Sequence, residues 1–310
     1  MNVLIKNVID MHVHFPAKQA PRHRQVPPAI LEYQKALRVK WREQFKFEEP
    51  EKEHPGDVVQ EQRWLKQMED HQLQHVNFLT GGGNEKLAAL VKRHPDKFTG
   101  FAHHDLSEDG ATEKLQVAVE QLGLHGYKWF GPLMKKSFDA PELKSFWTYL
   151  ADRKLPCLIH FGVLGGPGGV VHHPYINPLT MANVVQTYVD IPFIFPHFGA
   201  GYWQELLHLA WSSPNVHVDG SGSNDWIRWM PYTLTLQNLF QKAYETIGPS
   251  RIVFGSDSSD FPRGFAKRYL DLQESACHNI GIPKADMQLM FGGNVARILQ
   301  LKNAKPVIIE

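Results

Sequence analysis

Short apolar runs alternate with longer segments of helical periodicity along most of the chain. Eight runs rich in β-branched and aromatic residues predict strands, at 3–15, 75–80, 98–103, 126–130, 156–161, 193–198, 216–220 and 252–256. Between them, apolar residues recur every three or four positions and predict helices, at 84–94, 112–122, 140–153, 202–211, 226–247, 263–279 and 294–301. This alternation indicates β/α units that form a parallel sheet.

The number of β/α units favours one α/β architecture. Eight strands, each followed by a helix, predict a closed (β/α)₈ TIM barrel, because an open nucleotide-binding sheet usually carries a phosphate loop that this sequence lacks. We expect one domain over residues 1–310. Segment 15–56 is rich in Pro, Lys, Arg and Glu and is too long for an ordinary βα loop. It predicts a lid-like helical insertion after the first strand.

Composition narrows the classes of function. The 310 residues include 33 Lys+Arg and 32 Asp+Glu, so the chain offers no strongly basic surface and we expect no nucleic-acid partner. No apolar run is long enough for a membrane helix or a signal segment, and we expect a cytoplasmic protein. Cys157 and Cys277 have no C-x-x-C spacing and are expected to be buried free thiols.

Metal-ligand side chains follow the apolar runs at several strand ends. The first strand ends with His12-Val-His14, and residues two apart on a strand face the same side. His160, His197 and Asp257 end the fifth, sixth and eighth strands. The carboxyl ends of barrel strands meet at one mouth, where four imidazoles and a carboxylate suit Zn²⁺ or another divalent first-row metal.

Six short motifs together resemble the amidohydrolase superfamily. They are D-x-H-x-H at 10–14, G-Y-K at 126–128, H-x-G at 160–162, H-F-G at 197–199, G-S-D at 255–257 and G-G-N-V-A-R-I-L at 292–299. The sequence is most similar to the amidohydrolase-related branch that includes the aminocarboxymuconate-semialdehyde decarboxylase type. The resemblance spans essentially the whole chain, and it implies a distorted (β/α)₈ barrel with a divalent metal at its mouth.

The resemblance also implies roles for the mouth residues. The implied metal ligands are His12, His14, His160 and Asp257. His197 would lie beside the metal-bound water or the substrate. In binuclear members a lysine at the place of Lys128 is carboxylated and bridges two metals, whereas a substrate cation or a supporting role fits the mononuclear branch. We favour one divalent ion, with Zn²⁺ preferred and Mn²⁺ or another first-row metal as alternatives.

Two reactions are compatible with these residues. In hydrolysis of an amide, lactone or related carbonyl, Asp257 would transfer the proton of the attacking water and His197 would stabilise the developing oxyanion. The alternative is non-oxidative decarboxylation of an unsaturated or aromatic carboxylic acid, and phosphotriesterase-like binuclear hydrolysis depends on Lys128. A barrel that binds metal or ligand without turnover is a third class. We rank hydrolysis first, because it is the more common outcome in the superfamily.

Aromatic residues near the predicted mouth would suit a flat or unsaturated small-molecule substrate, and arginines there could bind a carboxylate. The candidate substrate contacts are Trp129, Phe161, Tyr202, Arg228 and Arg263, with Arg22 and Arg24 in the insertion as further candidates. His103, at the end of the third strand, is expected to form a hydrogen bond or to contact substrate. The branch also suggests a homodimer.

Overall fold

The computed structural model describes residues 5–18, 27–165 and 169–309. Eight parallel strands coincide with the eight predicted runs: β2 (Val8–His14), β3 (Leu73–Thr80), β4 (Phe98–Gly100), β5 (Tyr127–Phe130), β6 (Cys157–His160), β7 (Phe193–Phe195), β8 (Val216–Asp219) and β9 (Ile252–Val253). A short antiparallel pair, β1 (Ile5–Lys6) and β10 (Ile308–Ile309), joins the two ends of the described chain.

The parallel strands close into a barrel. Hydrogen bonding runs in the orders β2-β3-β4 and β5-β6-β7-β8-β9. Single parallel bridges, Ala102 with Tyr127 and Val13 with Ser258, join these two groups at both seams. Barrel closure confirms the predicted (β/α)₈ fold, and backbone hydrogen bonds such as Met11 N–H to Phe254 O and Lys128 N–H to Ala102 O join the strands at the two seams. Because helices cover its outer face, a strand such as β2 is buried along almost its whole length.

Helices follow the strands around the outside of the barrel. They are α1 (Pro28–Phe45), α2 (Asp57–Asp70), α3 (Asn84–Arg93), α4 (Ala111–Gln116), α5 (Lys144–Asp152), α6 (Ala182–Thr187), α7 (Trp203–Ser212), α8 (Leu236–Ile247), α9 (Lys267–Asn279), α10 (Lys284–Gln288) and α11 (Asn294–Ile298). A π-helical turn at Leu289–Gly293 joins α10 to α11. None of the helices in the described part of the chain has the length and apolar character needed to cross a bilayer.

Two predicted helices begin later than the sequence pattern suggests. The predicted helix at 226–247 is a 3₁₀ turn at Asp225–Trp229, followed by an irregular stretch and then α8. Pro231 disfavours helical geometry at the residue before it, and Thr235 caps α8 in a capping box with Asn238. The predicted helix at 263–279 begins only at Lys267, after Gly264 adopts a positive φ of 56°.

The predicted insertion is helical and packs back onto the barrel. It contains α1, whose last residue, Phe45, is buried against Tyr269 of α9 with ring centroids 5.4 Å apart. The single-domain organisation and the lid role of this segment stay predictions. Elsewhere, Cys157 and Cys277 are free and buried, which confirms the expectation for both thiols.

Candidate metal centre

Two imidazoles face each other at the carboxyl end of β2. His12 and His14 lie two residues apart on this strand, and their Nε2 atoms are 3.3 Å apart. His12 is buried, whereas the side chain of His14 is 23% exposed. The strand therefore presents one enclosed nitrogen and one that faces the open mouth of the barrel.

Neighbouring oxygens orient both rings through the opposite nitrogen. His12 Nδ1 donates to Asp219 Oδ2 over 2.6 Å, so its Nε2 carries a lone pair. His14 Nδ1 lies 2.8 Å from Thr80 Oγ1, which can accept its proton and leave the second Nε2 lone pair available. Such partners commonly set the tautomer of metal-binding histidines. The hydrogen bonds suit both Nε2 atoms to accept a cation.

A carboxylate completes this group. Asp257 Oδ1 lies 3.5 Å from His12 Nε2 and 3.4 Å from His14 Nε2. Ligand atoms bound at about 2.1 Å to a tetrahedral ion are about 3.4 Å apart, so the three interatomic distances match those of a coordination shell. Two nitrogens and one carboxylate oxygen form a donor set that suits Zn²⁺ or Mn²⁺.

Backbone geometry brings Asp257 to the histidines. Asp257 has a φ of 57°, and its N–H donates to His12 O over 2.8 Å, so the residue adopts a strained conformation that β2 stabilises. A Cβ at Gly255 would lie 2.7 Å from His12 Cβ and 2.7 Å from Asp219 Oδ1. Glycine at this position therefore permits the segment that follows β9 to approach β2 closely.

Burial and charge set the protonation of these groups. Burial lowers the pKa of His12 well below its usual value. Burial acts to raise the pKa of Asp257, but its close contact with His14 and the neighbouring imidazoles together bring it well below its usual value. Burial raises the pKa of Asp219 to about 6. At neutral pH, His12 is therefore neutral and both carboxylates are largely ionised, as metal binding requires.

His197 lies next to the group, as predicted. Its ring centroid is 5.0 Å from that of His12, and its Nδ1 donates to Ser221 O over 3.1 Å. Ser221 Oγ lies 3.0 Å from the Nδ1 atoms of both His12 and His197. Trp226 Nε1 donates to His197 O and holds the backbone, which has a φ of 57° at this histidine.

His160 lies on the other side of His197, with ring centroids 5.1 Å apart. Its Nε2 lies 3.1 Å from Val163 O, and His160 is not part of the close group formed by His12, His14 and Asp257 within the described chain. Its proposed role as a fourth ligand stays a prediction.

Lys128 is a buried amine in the same region. It lies on β5, its Nζ is 4.5 Å from the ring centroid of Phe130, and burial lowers its pKa to about 7. Lys128 is not part of the three-residue group either. Carboxylation of its amine and a second metal stay untested.

The site opens into a pocket of about 820 Å³, a volume typical of sites for small molecules. Besides the metal group, its walls include Thr80, His103, Lys128, Trp129, Phe130, Leu133, His160, Leu164, Val170 and His197. Trp129 and His103 therefore line the pocket, and their contact with substrate stays a prediction. Helix α1 adds Gln34 and Arg38, two wall residues that the sequence analysis did not identify.

Four predicted substrate contacts lie elsewhere. Phe161 is 1% exposed and packs against Phe138 and Phe195 in the core, because it follows His160 on the strand and faces the other side. Tyr202 immediately precedes α7 and does not line the pocket. Neither aromatic residue lines the pocket, and their contact with substrate stays untested.

The two arginine candidates are engaged in local interactions. Arg228 is 56% exposed and forms an ion pair with Asp225 over 2.7 Å. Arg263 donates to Ser259 Oγ over 2.6 Å, and its guanidinium lies over the ring of Phe47. Neither arginine lines the pocket, and their contact with substrate stays untested. Arg22 and Arg24 lie outside the described residues.

The sequence analysis also missed Asp219, which orients His12. The available signal was its position at the end of the seventh strand, the same signal that identified the metal ligands. The role of Thr80, at the end of β3, could have been inferred in the same way. Asp219 and Thr80 each act on the site through a histidine. A search for metal-binding residue types does not include a threonine hydroxyl such as that of Thr80.

The fold and the site together define a TIM-barrel protein with a candidate metal site at the carboxyl ends of its strands. A family profile described as Amidohydrolase matches residues 9–301. The chain belongs to the amidohydrolase family, whose members are metal-dependent enzymes, and the predicted superfamily is confirmed. No curated protein matches the chain's sequence.

Solved structures of low sequence identity have the same fold. An uncharacterised TIM-barrel protein from Bordetella bronchiseptica has a TM-score of 0.64 at 19% identity, over 94% of this chain and 98% of its own. A probable 2-pyrone-4,6-dicarboxylic acid hydrolase from Acinetobacter baumannii has a TM-score of 0.61 at 15% identity, over 95% and 100%. A dihydroxybenzoic acid decarboxylase from Polaromonas was solved with manganese and 2-nitroresorcinol. It has a TM-score of 0.61 at 16% identity, over 96% of this chain and 98% of its own.

Proposed function

We propose that the protein is a metal-dependent hydrolase that cleaves an amide, lactone or similar carbonyl compound with one divalent ion, Zn²⁺ by preference. His12, His14 and Asp257 would hold the ion, with His160 as a further ligand. The observation that carries the proposal is the convergence of two imidazole nitrogens and a carboxylate oxygen at 3.3, 3.4 and 3.5 Å. These distances are those of ligand atoms that share one cation.

The chain's own residues provide the proton transfers. When bound, a divalent ion supplies Lewis-acid activation of water and of a carbonyl oxygen. Asp257 offers a second oxygen that can accept the proton of the attacking water and return it to the leaving nitrogen or oxygen as the carbon–heteroatom bond breaks. Because its pKa is held well below the usual range, Asp257 is ionised and available as a base at neutral pH.

His197 and Lys128 would act on the substrate. His197 Nδ1 donates to Ser221 O, so Nε2 can donate to a substrate oxygen when the ring carries a second proton. The Lys128 amine lines the pocket, and a pKa of about 7 lets it serve as a cation or a proton donor near neutral pH. Together these groups would stabilise the charge that develops on the substrate as the carbonyl is attacked.

Decarboxylation is the second candidate, and the aromatic wall of Trp129 and Phe130 favours it, since the wall suits a flat ring. The similarity to the Polaromonas decarboxylase supports the same alternative. In this reaction the substrate carboxylate leaves as CO₂ when its carbon–carbon bond breaks, and a proton is delivered to the ring carbon. Lys128 is placed in the pocket to supply that proton.

The decisive experiment is an assay of a substrate panel with the Zn²⁺-loaded and Mn²⁺-loaded protein. The panel comprises lactones, amides and aromatic carboxylates, with CO₂ release followed beside product mass. A product that gains the elements of water supports the hydrolase, and a product that loses CO₂ supports the decarboxylase. Asp257→Asn should abolish turnover, whereas Asp271→Asn, a change on the exposed face of α9, should leave it intact.

Two results would contradict the enzyme. Turnover that is unchanged in Asp257→Asn would exclude the proposed base. Stoichiometric metal binding without turnover on the whole panel would favour the non-catalytic metal-binding barrel. The homodimer expected from the branch stays a prediction, which light scattering of the purified protein tests.

A further inference from the structure

One face of α1 runs from the pocket to the anchored end of the helix. Gln34 and Arg38 are one turn apart and both line the pocket. Trp41 and Phe45 continue the same face, at three and seven residues beyond Arg38. The residues of α1 that line the pocket and those that pack on the barrel therefore lie on one continuous face of the helix, which we call the α1 stripe.

Aromatic packing holds this stripe in place. Phe45 is buried and contacts Tyr269 edge to face, and Trp41 lies 5.9 Å from Phe45 and 5.5 Å from Phe47 between ring centroids. Gln44 adds hydrogen bonds to Asp225 and Arg228, both of 3.3 Å. Because α1 is fixed at this end, the backbone of Arg38 is held beside the pocket, while its side chain is exposed.

Arg38 and Lys40 form no ion pair among the described residues of α1, and of these two Arg38 is the one that lines the pocket. Lys35 pairs with Glu32 over 2.8 Å, and Arg42 pairs with Glu49 over 2.7 Å. Arg38 forms no ion pair or hydrogen bond within residues 5–18, 27–165 and 169–309. Its guanidinium is therefore available to an anion in the pocket.

The charge of the pocket favours such an anion. Among the described residues that line it, Asp257 is the one carboxylate, and it belongs to the metal group. Arg38 balances the charge of Asp257, and Lys128, whose pKa is lowered to about 7 by burial, adds positive charge when it is protonated.

From this geometry we propose that Arg38, supported by Gln34, forms an anion subsite on the α1 wall that binds a carboxylate of the substrate. A guanidinium binds a carboxylate through two parallel hydrogen bonds, and the amide of Gln34 can add a third. The substrate class is then a flat acid with a second anionic group, which α1 recognises while the metal end binds the reacting group. This inference rests on the proposed function only in that the reacting group of the substrate binds at the metal site.

The test compares binding of benzoate with that of two dicarboxylates, isophthalate and terephthalate, by calorimetry on the full-length, Zn²⁺-loaded protein. The dicarboxylates place a second carboxylate at two different distances from the first. We expect at least one of them to bind the wild type about tenfold or more tightly than benzoate, as a charge-assisted pair would provide. Arg38→Gln should remove that preference and leave benzoate affinity within about twofold.

Two further variants make the result specific. Lys40→Gln removes an exposed cation from the same helix outside the pocket and should keep the full preference. Arg38→Lys keeps the positive charge but loses the planar guanidinium, and it should retain part of the preference for dicarboxylates. A wild type without preference, or an Arg38→Gln protein that keeps it, would overturn the subsite.

Repeating the titrations on chelator-treated protein separates this inference from the proposed function. If benzoate binding is equal with and without Zn²⁺, the metal centre is contradicted, and the effect of Arg38→Gln on dicarboxylate preference can still be measured. If benzoate binding requires Zn²⁺ but Arg38→Gln changes nothing, the metal centre stands and the subsite is wrong.

Discussion

Histidines at the carboxyl ends and at the amino ends of the barrel strands differ in what their ring nitrogens contact. His12 and His14 lie at the carboxyl end of β2, with their Nε2 atoms facing each other and Asp257 beside them. His75 and His217 lie near the amino ends of β3 and β8, and their ring nitrogens contact neighbouring oxygens: His75 Nε2 lies 3.2 Å from Thr99 Oγ1, and His217 Nδ1 donates to Asn215 O over 3.1 Å. Both pairs are on barrel strands, and only the first can bind a cation.

The difference lies in where the lone pairs point. At the mouth, Asp219 and Thr80 bond the Nδ1 atoms and leave two Nε2 lone pairs that converge. At the base, each histidine interacts with its own surroundings, and burial lowers the pKa of both His75 and His217 to about 4. A strand histidine is therefore suited to bind a metal when a hydrogen bond at one ring nitrogen leaves the other nitrogen's lone pair facing a second metal-binding atom.

The largest effect should come from removing a converging ligand. His12→Ala takes away one of the three donors and should reduce bound metal from about one ion per chain to near zero, with activity falling by about 10³-fold or more. Metal analysis and the substrate panel measure both. His217→Gln, a change at the base, should keep the metal; loss of metal there as well would erase the contrast between the two ends.

Weakening the partner of a ligand should have a smaller effect. Asp219→Asn keeps the size of the side chain but not the charge that orients His12, and we expect about 10–100-fold weaker metal binding. Competition with a chromophoric chelator measures the affinity. Asp271→Asn on α9 is the matched control, and an Asp219→Asn protein with unchanged affinity would show that the Nδ1 hydrogen bond does not matter.

The base histidines should appear in the pH dependence of stability. Their pKa is about 4 in the folded protein against 6.5 for an ordinary histidine, so only the unfolded state gains their protons between these values. Stability should fall as pH decreases from about 6.5 towards 4, by up to about 3 kcal/mol for each histidine.

Urea unfolding of metal-free wild type and His217→Gln at pH 7 and pH 4.5 tests this linkage. The variant cannot gain a proton at residue 217 and should lose less stability on acidification. If both proteins lose the same amount, His217 is not held neutral by the fold.

The smallest effect is expected at Arg228, which the sequence suggested as a substrate contact. Its side chain is more than half exposed and is paired with Asp225, outside the pocket. Arg228→Gln should change KM by less than about twofold, since an exposed ion pair contributes little. A much larger rise in KM in steady-state assays would place Arg228 at the substrate after all.

Most of the fold was predictable from local patterns. All eight barrel strands were located, because a strand buried on both faces produces a continuous apolar run that is visible without neighbours. Element boundaries were less accurate: the first predicted strand covers 3–15, but Asn7 has a φ of 58° and separates β1 from β2. A turn of this kind leaves no periodic signal in an apolar run.

The candidate site was predictable only in part. His12, His14, Asp257 and His197 were identified by their positions at strand ends, and the structure brings them together. Arg38 and Gln34 were not, because α1 lies within a long insertion whose path over the barrel no local pattern reveals. Phe161 lies in the core and not at the pocket, because one residue of strand register decides between the two.

The amino-acid order by itself determined the alternation of strands and helices, the ligand residue types and the strand ends that carry them, since these depend on neighbours a few positions apart. Tertiary structure alone decided which of those side chains meet. Val13 pairs with Ser258 across the barrel seam, and this closure brings Asp257 to within 3.5 Å of His12. Contacts between residues so distant in the chain arise from the packing of the whole barrel, which leaves no trace in any short segment.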